Sequence, residues 1–358
     1  MWPPLVNLIM ANYQRPAARS NGHKLKLSIP SEALDSGANQ FDNRLTEILH
    51  VEDPLSNIDW LAASLNGDIQ EVMFIGEGSG GGVRLCQLKG ESKQFALKEI
   101  PAPSSDLQYQ VLRELQFNRT CDSPYIVKYY GAFLREDRGS ICIAMEYCKG
   151  RSLYDICRRV RERGGRVGER VLARIAHCVL QGILYLYGQK IIHRDIKPQN
   201  ILLNEAGDIK LCDFGVSGEV VNSLVRTFTG TSNYMAPERI QGHSYSVNAD
   251  VWSLGLTLLE LAMGRFPYES EHSGSQEVVP IELYLAIVQN PTPELEDDID
   301  GGIRWSDSFK HFLNACLEKD PERRPTPQHI INHPWIAGNI KKNLDMARFV
   351  QEAWGAAP

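Results

Sequence analysis

Between His193 and Asn200 the chain reads His193-Arg194-Asp195-Ile196-Lys197-Pro198-Gln199-Asn200, directly after the apolar pair Ile191-Ile192. This short segment holds a carboxylate able to act as a base, two cations, and an amide oxygen able to ligate a metal. Asp213-Phe214-Gly215 adds a second carboxylate after the strand-like Ile209-Lys210-Leu211-Cys212. Far upstream, Gly76-Glu77-Gly78-Ser79-Gly80-Gly81-Gly82-Val83 carries the spacing G-x-G-x-x-G-x-V. Backbone without Cβ atoms can approach a polyphosphate closely and offer it amide N–H groups. Taken alone the glycines also fit a Rossmann turn or a flexible hairpin. A Rossmann unit needs a helix directly after them, whereas the strand-like Val83-Arg84-Leu85-Cys86 follows here. Phe95-Ala96-Leu97-Lys98 then places a lysine inside an apolar strand, which is costly unless the ammonium meets an anion. Phosphate oxygens would serve, as would Glu114; a lysine snorkelling from an edge strand is the bland alternative.

The elements that must position these groups fall into two sets. From Ile69, short strand-like runs (Val72 to Ile75, Val83 to Leu88, Phe95 to Ile100, Ile126 to Phe133, Ile141 to Glu146) surround one helical stretch, Leu107 to Asn118. Beyond Gly150 the periodicity turns helical: Ser152 to Arg163, Glu169 to Tyr187, Asn248 to Ala262, Ile281 to Val288, Asp307 to Cys316. Strands first and helices afterwards predict an α+β fold with a small sheet lobe and a larger helical lobe. Residues 1 to about 66, rich in Pro, Ser, Asn and Asp, read as a mostly disordered tail. Within it Phe41, Leu45, Ile48 and Leu49 form a helical stripe. At the other end Met346, Phe349, Val350, Ala353 and Trp354 predict an amphipathic helix.

Composition closes off several classes. The 358 residues carry a net charge of −6 and 43% hydrophobic residues, so neither nucleic-acid binding by a basic surface nor wholesale disorder is expected. Eight cysteines without C-x-x-C pairs argue against a zinc ribbon or a disulfide scaffold and read as reduced thiols. No run reaches the roughly 18 apolar residues of a membrane span. The apolar start lacks a basic n-region, so no signal peptide is expected. The expectation is a cytoplasmic protein, with a nuclear pool left open.

H-R-D-x-K-x-x-N, D-F-G and Ala236-Pro237-Glu238, together with the glycine loop and Lys98, resemble the signature set of eukaryotic protein kinases. The resemblance runs from about Ile69 to Ile336. Within that superfamily the chain is similar to the dual-specificity MAP kinase kinases. The residues carrying this are Asp213-Phe214-Gly215-Val216-Ser217-Gly218, then Ser223-Leu224-Val225-Arg226-Thr227, then Gly230-Thr231-Ser232-Asn233-Tyr234-Met235-Ala236-Pro237-Glu238-Arg239-Ile240. His193–Asn200, with Gln199 in place of a common Ser, and Asn222–Gly242 resemble the fungal cell-integrity subgroup.

The resemblance implies a bilobal kinase fold: tail 1–66, kinase domain 67–337 split into lobes 67–147 and 148–337, and an extension 338–358. It implies Mg²⁺ and ATP. Asp195 would be the catalytic base and Lys197 would neutralise the transferring phosphoryl. Asn200 and Asp213 would hold the metal. ATP would be contacted by Ile75, Gly76, Glu77, Gly78, Ser79, Gly80, Gly81, Gly82, Val83, Ala96, Lys98 with Glu114, gatekeeper Met145, hinge residues Glu146 and Cys148, and Ser152. Ser223 and Thr227 would be the activating phosphorylation sites, their added charge of about −3 to −4 drawn to Arg194. Cys212 is either a thiol facing the nucleotide or a small packed hydrophobe. Glu238 with Arg324, and Asp250, are expected to brace the large lobe. Lys24, Lys26, Leu27 and Ile29 resemble a docking segment for a MAP kinase. The implied partners are that substrate, an upstream MAP kinase kinase kinase and a scaffold protein. The rivals are a Ser/Thr kinase of another cascade tier and a non-catalytic scaffold of the same fold.

Overall fold

The computed structural model describes residues 58–78, 81–104, 108, 111, 115, 121–214, 231–268, 280–299 and 301–355. In the small lobe, β1 (Ile69–Gly78), β2 (Gly81–Leu88), β3 (Gln94–Pro101), β4 (Tyr129–Arg135) and β5 (Ser140–Glu146) form one antiparallel sheet of order β1-β2-β3-β5-β4. Register sets Val83 opposite Lys98 and Ala96 opposite Met145, so Lys98 stands on β3 between the glycine hairpin, at the Ile100 end of the strand, and the end of β5, at the Phe95 end. Gln108, Val111 and Leu115 are helical, and the last two are buried against Ile100, Ile141 and Ile143 on one sheet face.

The other face is covered by α1 (Trp60–Leu65), which lies inside the stretch whose composition reads as a tail. Trp60 stacks edge-on to Phe95 at 4.9 Å and donates its indole N–H to the Tyr130 carbonyl at 3.3 Å. An added Cβ at Gly131 would stand 2.3 Å from the Trp60 ring, so the glycine opens the slot the indole fills. One buried aromatic anchors a helix too short for periodicity to reveal. The strand expected from Ile126 starts three residues later, at Tyr129. Tyr125 and Val127 instead pair with Leu211 of the large lobe (Leu211 N to Tyr125 O, 2.8 Å; Val127 N to Leu211 O, 2.9 Å), which stitches the lobes together.

The large lobe opens with β6 (Arg151–Ser152), α2 (Leu153–Glu162) and α3 (Glu169–Gly188). β7 (Ile201–Leu203) and β8 (Ile209–Leu211) complete a three-stranded sheet of order β6-β7-β8. After α4 (Pro237–Ile240) come α5 (Asn248–Met263), α6 (Pro280–Gln289), α7 (Asp307–Cys316), α8 (Pro327–Ile330), α9 (Pro334–Ile340) and α10 (Met346–Trp354). α5 is buried nearly all round, as expected of a helix whose apolar residues occupy every face. α3 is long and apolar enough to cross a membrane by composition, yet it runs through the lobe core.

Glu238 and Arg324 lock this lobe. Both are buried, and the guanidinium grips the carboxylate twice, at 2.7 and 3.0 Å. Its remaining N–H groups go to the carbonyls of Glu318, Lys319 and Asn248, so the buried charge is fully hydrogen-bonded.

Candidate active site

The catalytic segment is held by its backbone before its side chains act. Arg194 and Asp213 have φ of 70° and 60°, a left-handed conformation that costs about 1–3 kcal/mol for non-glycine residues. Asp250, at the buried start of α5, accepts from the His193 and Arg194 N–H groups, both at 2.9 Å. Burial raises the Asp250 pKa above the usual carboxylate range, opposed by those same bonds. The His193 ring spans the two motifs. Its Nδ1 accepts from the Asp195 N–H at 3.3 Å, which leaves Nε2 to donate to the Cys212 carbonyl at 3.0 Å. Burial depresses its pKa, so it stays neutral and structural.

Within this frame three predicted residues meet. The Asn200 amide donates to the Asp195 carbonyl and to its Oδ2, each at 2.8 Å, and Lys197 Nζ lies 3.0 Å from the same Oδ2. Burial pushes the Asp195 pKa up, and Lys197 pulls it back down. With both amide hydrogens of Asn200 engaged, its side-chain oxygen accepts no hydrogen bond from the described residues and is left as a ligand.

Across the cleft, Lys98 Nζ pairs with Asp213 Oδ1 at 2.6 Å. The buried lysine has thus found an anion, which excludes the snorkelling alternative. At Gly81 an added Cβ would lie 1.7 Å from the Glu99 carbonyl oxygen, so the hairpin can press onto β3 only as glycine. Met145 lines a small cavity with Lys98, Ile143, Cys212 and Asp213. Cys212 shares a buried cluster with Val127 and Cys148, against which Leu202 packs. Its thiol points to the Asn200 carbonyl at 3.6 Å, and burial holds its pKa well above the usual thiol value. It is therefore a packed, protonated thiol that also borders the cleft.

The expected hinge divides its work. The Glu146 carboxylate accepts from Lys210 Nζ at 2.9 Å and from the Lys128 N–H at 3.1 Å, so its side chain braces the lobe junction. The Cys148 N–H has no hydrogen-bond acceptor among the described residues and is free for a ligand. Ser152 caps α2, accepting from the Asp155 N–H at 3.1 Å and donating to its carboxylate at 2.7 Å. Toward a nucleotide it can act only as a further acceptor. Ile75, Gly76, Glu77 and Gly78 lie on β1, Gly82 and Val83 pair with them on β2, and Ala96 lies on β3. Ser79, Gly80, Glu114, Ser223, Thr227 and the segment with Lys24, Lys26, Leu27 and Ile29 lie outside the described residues.

The chain's motifs gave no role to Arg239. Its Nη1 donates to the Arg194 carbonyl at 2.6 Å, and both guanidiniums stand over the Tyr245 ring, at 5.1 and 5.8 Å. Neither forms an ion pair among the described residues, and Arg194 Nε is buried without a hydrogen-bond partner. The signal was the arginine directly after Ala236-Pro237-Glu238.

The fold and site define the class of protein kinases: a family profile described as "Protein kinase domain" matches residues 69–336. The chain is 53% identical to the MAP kinase kinase skh1/pek1 of Schizosaccharomyces pombe, over 98% of this chain and 90% of the relative. It is 55% identical to the MAP kinase kinase MKK1/SSP32 of Saccharomyces cerevisiae over 84% of this chain, and it spans 59% of that relative's length. To the dual specificity mitogen-activated protein kinase kinase dSOR1 of Drosophila melanogaster it is 37% identical, over 94% of this chain and 87% of the relative. The chain belongs to the MAP kinase kinase family of protein kinases.

Proposed function

We propose that the chain transfers the γ-phosphoryl group of ATP to the Thr and Tyr of a MAP kinase activation loop, in a cascade of the cell-integrity type. The observation that carries the reading is the cluster of Asp195, Lys197 and Asn200 facing Asp213 and Lys98 across one cleft. Phosphoryl transfer needs positioning and charge neutralisation more than covalent catalysis, and this cluster supplies both.

Asp195, buried and hydrogen-bonded by Asn200, orients the incoming hydroxyl and accepts its proton. Lys197 neutralises charge on the transferring group. Lys98 exchanges Asp213 for the α- and β-phosphates, which frees that carboxylate. The Cys148 N–H meets adenine. The Asp213 carboxylate and the Asn200 amide oxygen are hard oxygen donors that would hold Mg²⁺, which would supply positive charge to offset the negative charge of the phosphates.

Ser223 and Thr227 are the activating sites, and Arg194 and Arg239 beside Tyr245, which form no ion pair among the described residues, are the cations that would receive phosphate. The cascade reading carries an upstream MAP kinase kinase kinase, a scaffold protein, and docking through Lys24, Lys26, Leu27 and Ile29. Free thiols throughout the described residues support a reducing, cytoplasmic setting.

The test is labelling of a catalytically dead MAP kinase by γ-labelled ATP. The chain carrying Ser223→Asp and Thr227→Glu labels it, Asp195→Asn abolishes labelling, and chelation followed by added Mg²⁺ removes and restores it. Equal labelling by the Asp195→Asn protein would overturn the reading.

A further inference from the structure

The C-terminal helix α10 packs on α2 and on the segment just past the hinge, far in sequence from either. It is built as a fixed piece. Asp345 caps its start by accepting from the Arg348 N–H at 2.9 Å, and Gly355 ends it at a φ of 76°. Met346, Val350 and Ala353 are buried in the large-lobe core. Gly207, in the β7–β8 turn, lies so close that an added Cβ would stand 2.4 Å from the Met346 backbone. Arg163 of the α2 terminus donates to the Glu352 carbonyl at 2.6 Å.

The contact that bears on the cleft is Trp354. Its indole N–H donates to the Gly150 carbonyl at 3.1 Å, two residues after Cys148. Its ring takes the guanidiniums of Arg151 and Arg159, at 5.3 and 5.6 Å. Arg151 is itself strained, at a φ of 66°. It shares a positive φ with only three other non-glycine residues among those described, and two of these are Arg194 and Asp213 of the active site. Such a conformation persists only where the surroundings over-determine it. Below, Gly150 sits so tightly on β7 that an added Cβ would meet the Leu203 carbonyl at 2.7 Å. From there β6 pairs with β7, Ser152 opposite Leu202. Leu202 packs against the Val127–Cys148–Cys212 cluster, and β7 begins directly after Asn200.

We propose that Trp354 is a positioning residue for the nucleotide: it clamps Gly150 and Arg151 so that the hinge N–H of Cys148, Ser152 and the β7 floor stand in one fixed frame. The proposal rests on the kinase reading. Without the clamp, Arg151 relaxes toward ordinary backbone, the turn after the hinge loosens, and a bound nucleotide has to order it again. Affinity for Mg·ATP falls, while the Asp195 end of the cleft, held independently by Asp250, turns over bound ATP as before.

The experiment uses the full chain with Trp354→Ala, Trp354→Phe and Arg348→Ala, the last on the exposed side of α10. A fluorescent ATP analogue reports affinity, ATP-dependent labelling of MAP kinase gives KM and kcat, and circular dichroism reports folding. Trp354→Ala is expected to weaken Mg·ATP binding and raise the ATP KM by about 3- to 10-fold, with kcat at saturating ATP held within about twofold. Trp354→Phe keeps the ring and loses the donor, so its shift falls between Trp354→Ala and the native chain. Arg348→Ala leaves affinity unchanged. Native affinity in a folded Trp354→Ala protein overturns the proposal, as does a melting temperature that falls while the ATP KM stays put. If Trp354→Ala does not fold, native affinity in Trp354→Phe overturns it equally. A native chain that binds no nucleotide would overturn the kinase reading, and this inference with it.

Discussion

The two walls of the cleft are built on different plans. On the large-lobe side, Asp195 is fixed by its neighbours' side chains, by His193 beneath it and by Asp250 gripping two successive N–H groups. All of these anchors are buried, so the geometry exists before any substrate arrives. On the small-lobe side, Lys98 is held by the single carboxylate of Asp213 among the described residues, at the edge of the open cleft. The base is pre-organised, whereas the phosphate grip is an exchangeable ion pair. Transfer needs the first to stay and the second to swap.

That difference can be broken at several points. Replacing Asp195 with Asn should lower kcat by about 10²- to 10⁴-fold while Mg·ATP affinity changes little, in a labelling assay beside a nucleotide titration. Unchanged turnover would remove Asp195 from the chemistry. Glu238→Ala strands the Arg324 charge in the large-lobe core and should cost about 3–5 kcal/mol in denaturant unfolding. A loss below about 1 kcal/mol would show that this wall is not rigid in the way described. Lys98→Met should cut kcat/KM by roughly 10²-fold yet barely move the melting temperature, because Asp213 borders the cleft and regains water. A large stability loss would make the pair structural rather than exchangeable.

The acid limb of kcat should lie above the ordinary Asp value of 3.8, because burial favours protonated Asp195 and activity falls as pH drops through the raised pKa. Lys197 lowers that pKa, so Lys197→Met should move the limb to still higher pH in what activity remains. A limb unmoved in the variant would contradict the coupling. The smallest effect is expected at Arg84, part-exposed and paired with Glu99 at 2.9 Å and Glu71 at 3.2 Å. Arg84→Ala should cost less than about 1 kcal/mol by the same unfolding assay.

How much of this was legible in the sequence follows from where the partners sit. Asp195, Lys197 and Asn200 meet because they belong to one tight turn, and a turn is written locally. Asp213 and Lys98 were legible as types at telling positions, but their direct pairing joins two lobes and has no local signal. Arg239 on Arg194 spans 45 residues, Lys210 on Glu146 spans 64, and Trp60 on Tyr130 spans 70. Trp354 on Gly150 spans 204. In each case tertiary packing chose the partner. The two-lobed order was readable because strand and helix periodicities occupy separate halves of the chain. The small helix at Trp60 was not, since one anchoring aromatic makes no period.

The most direct test of the account is phosphate mapping by mass spectrometry. The chain carrying Ser223→Asp and Thr227→Glu is incubated with Mg·ATP and catalytically dead MAP kinases of several pathway types. The account predicts phosphate on both Thr and Tyr of the T-x-Y motif of one of them. Phosphate confined to generic Ser/Thr peptides, with none on any T-x-Y, would contradict it.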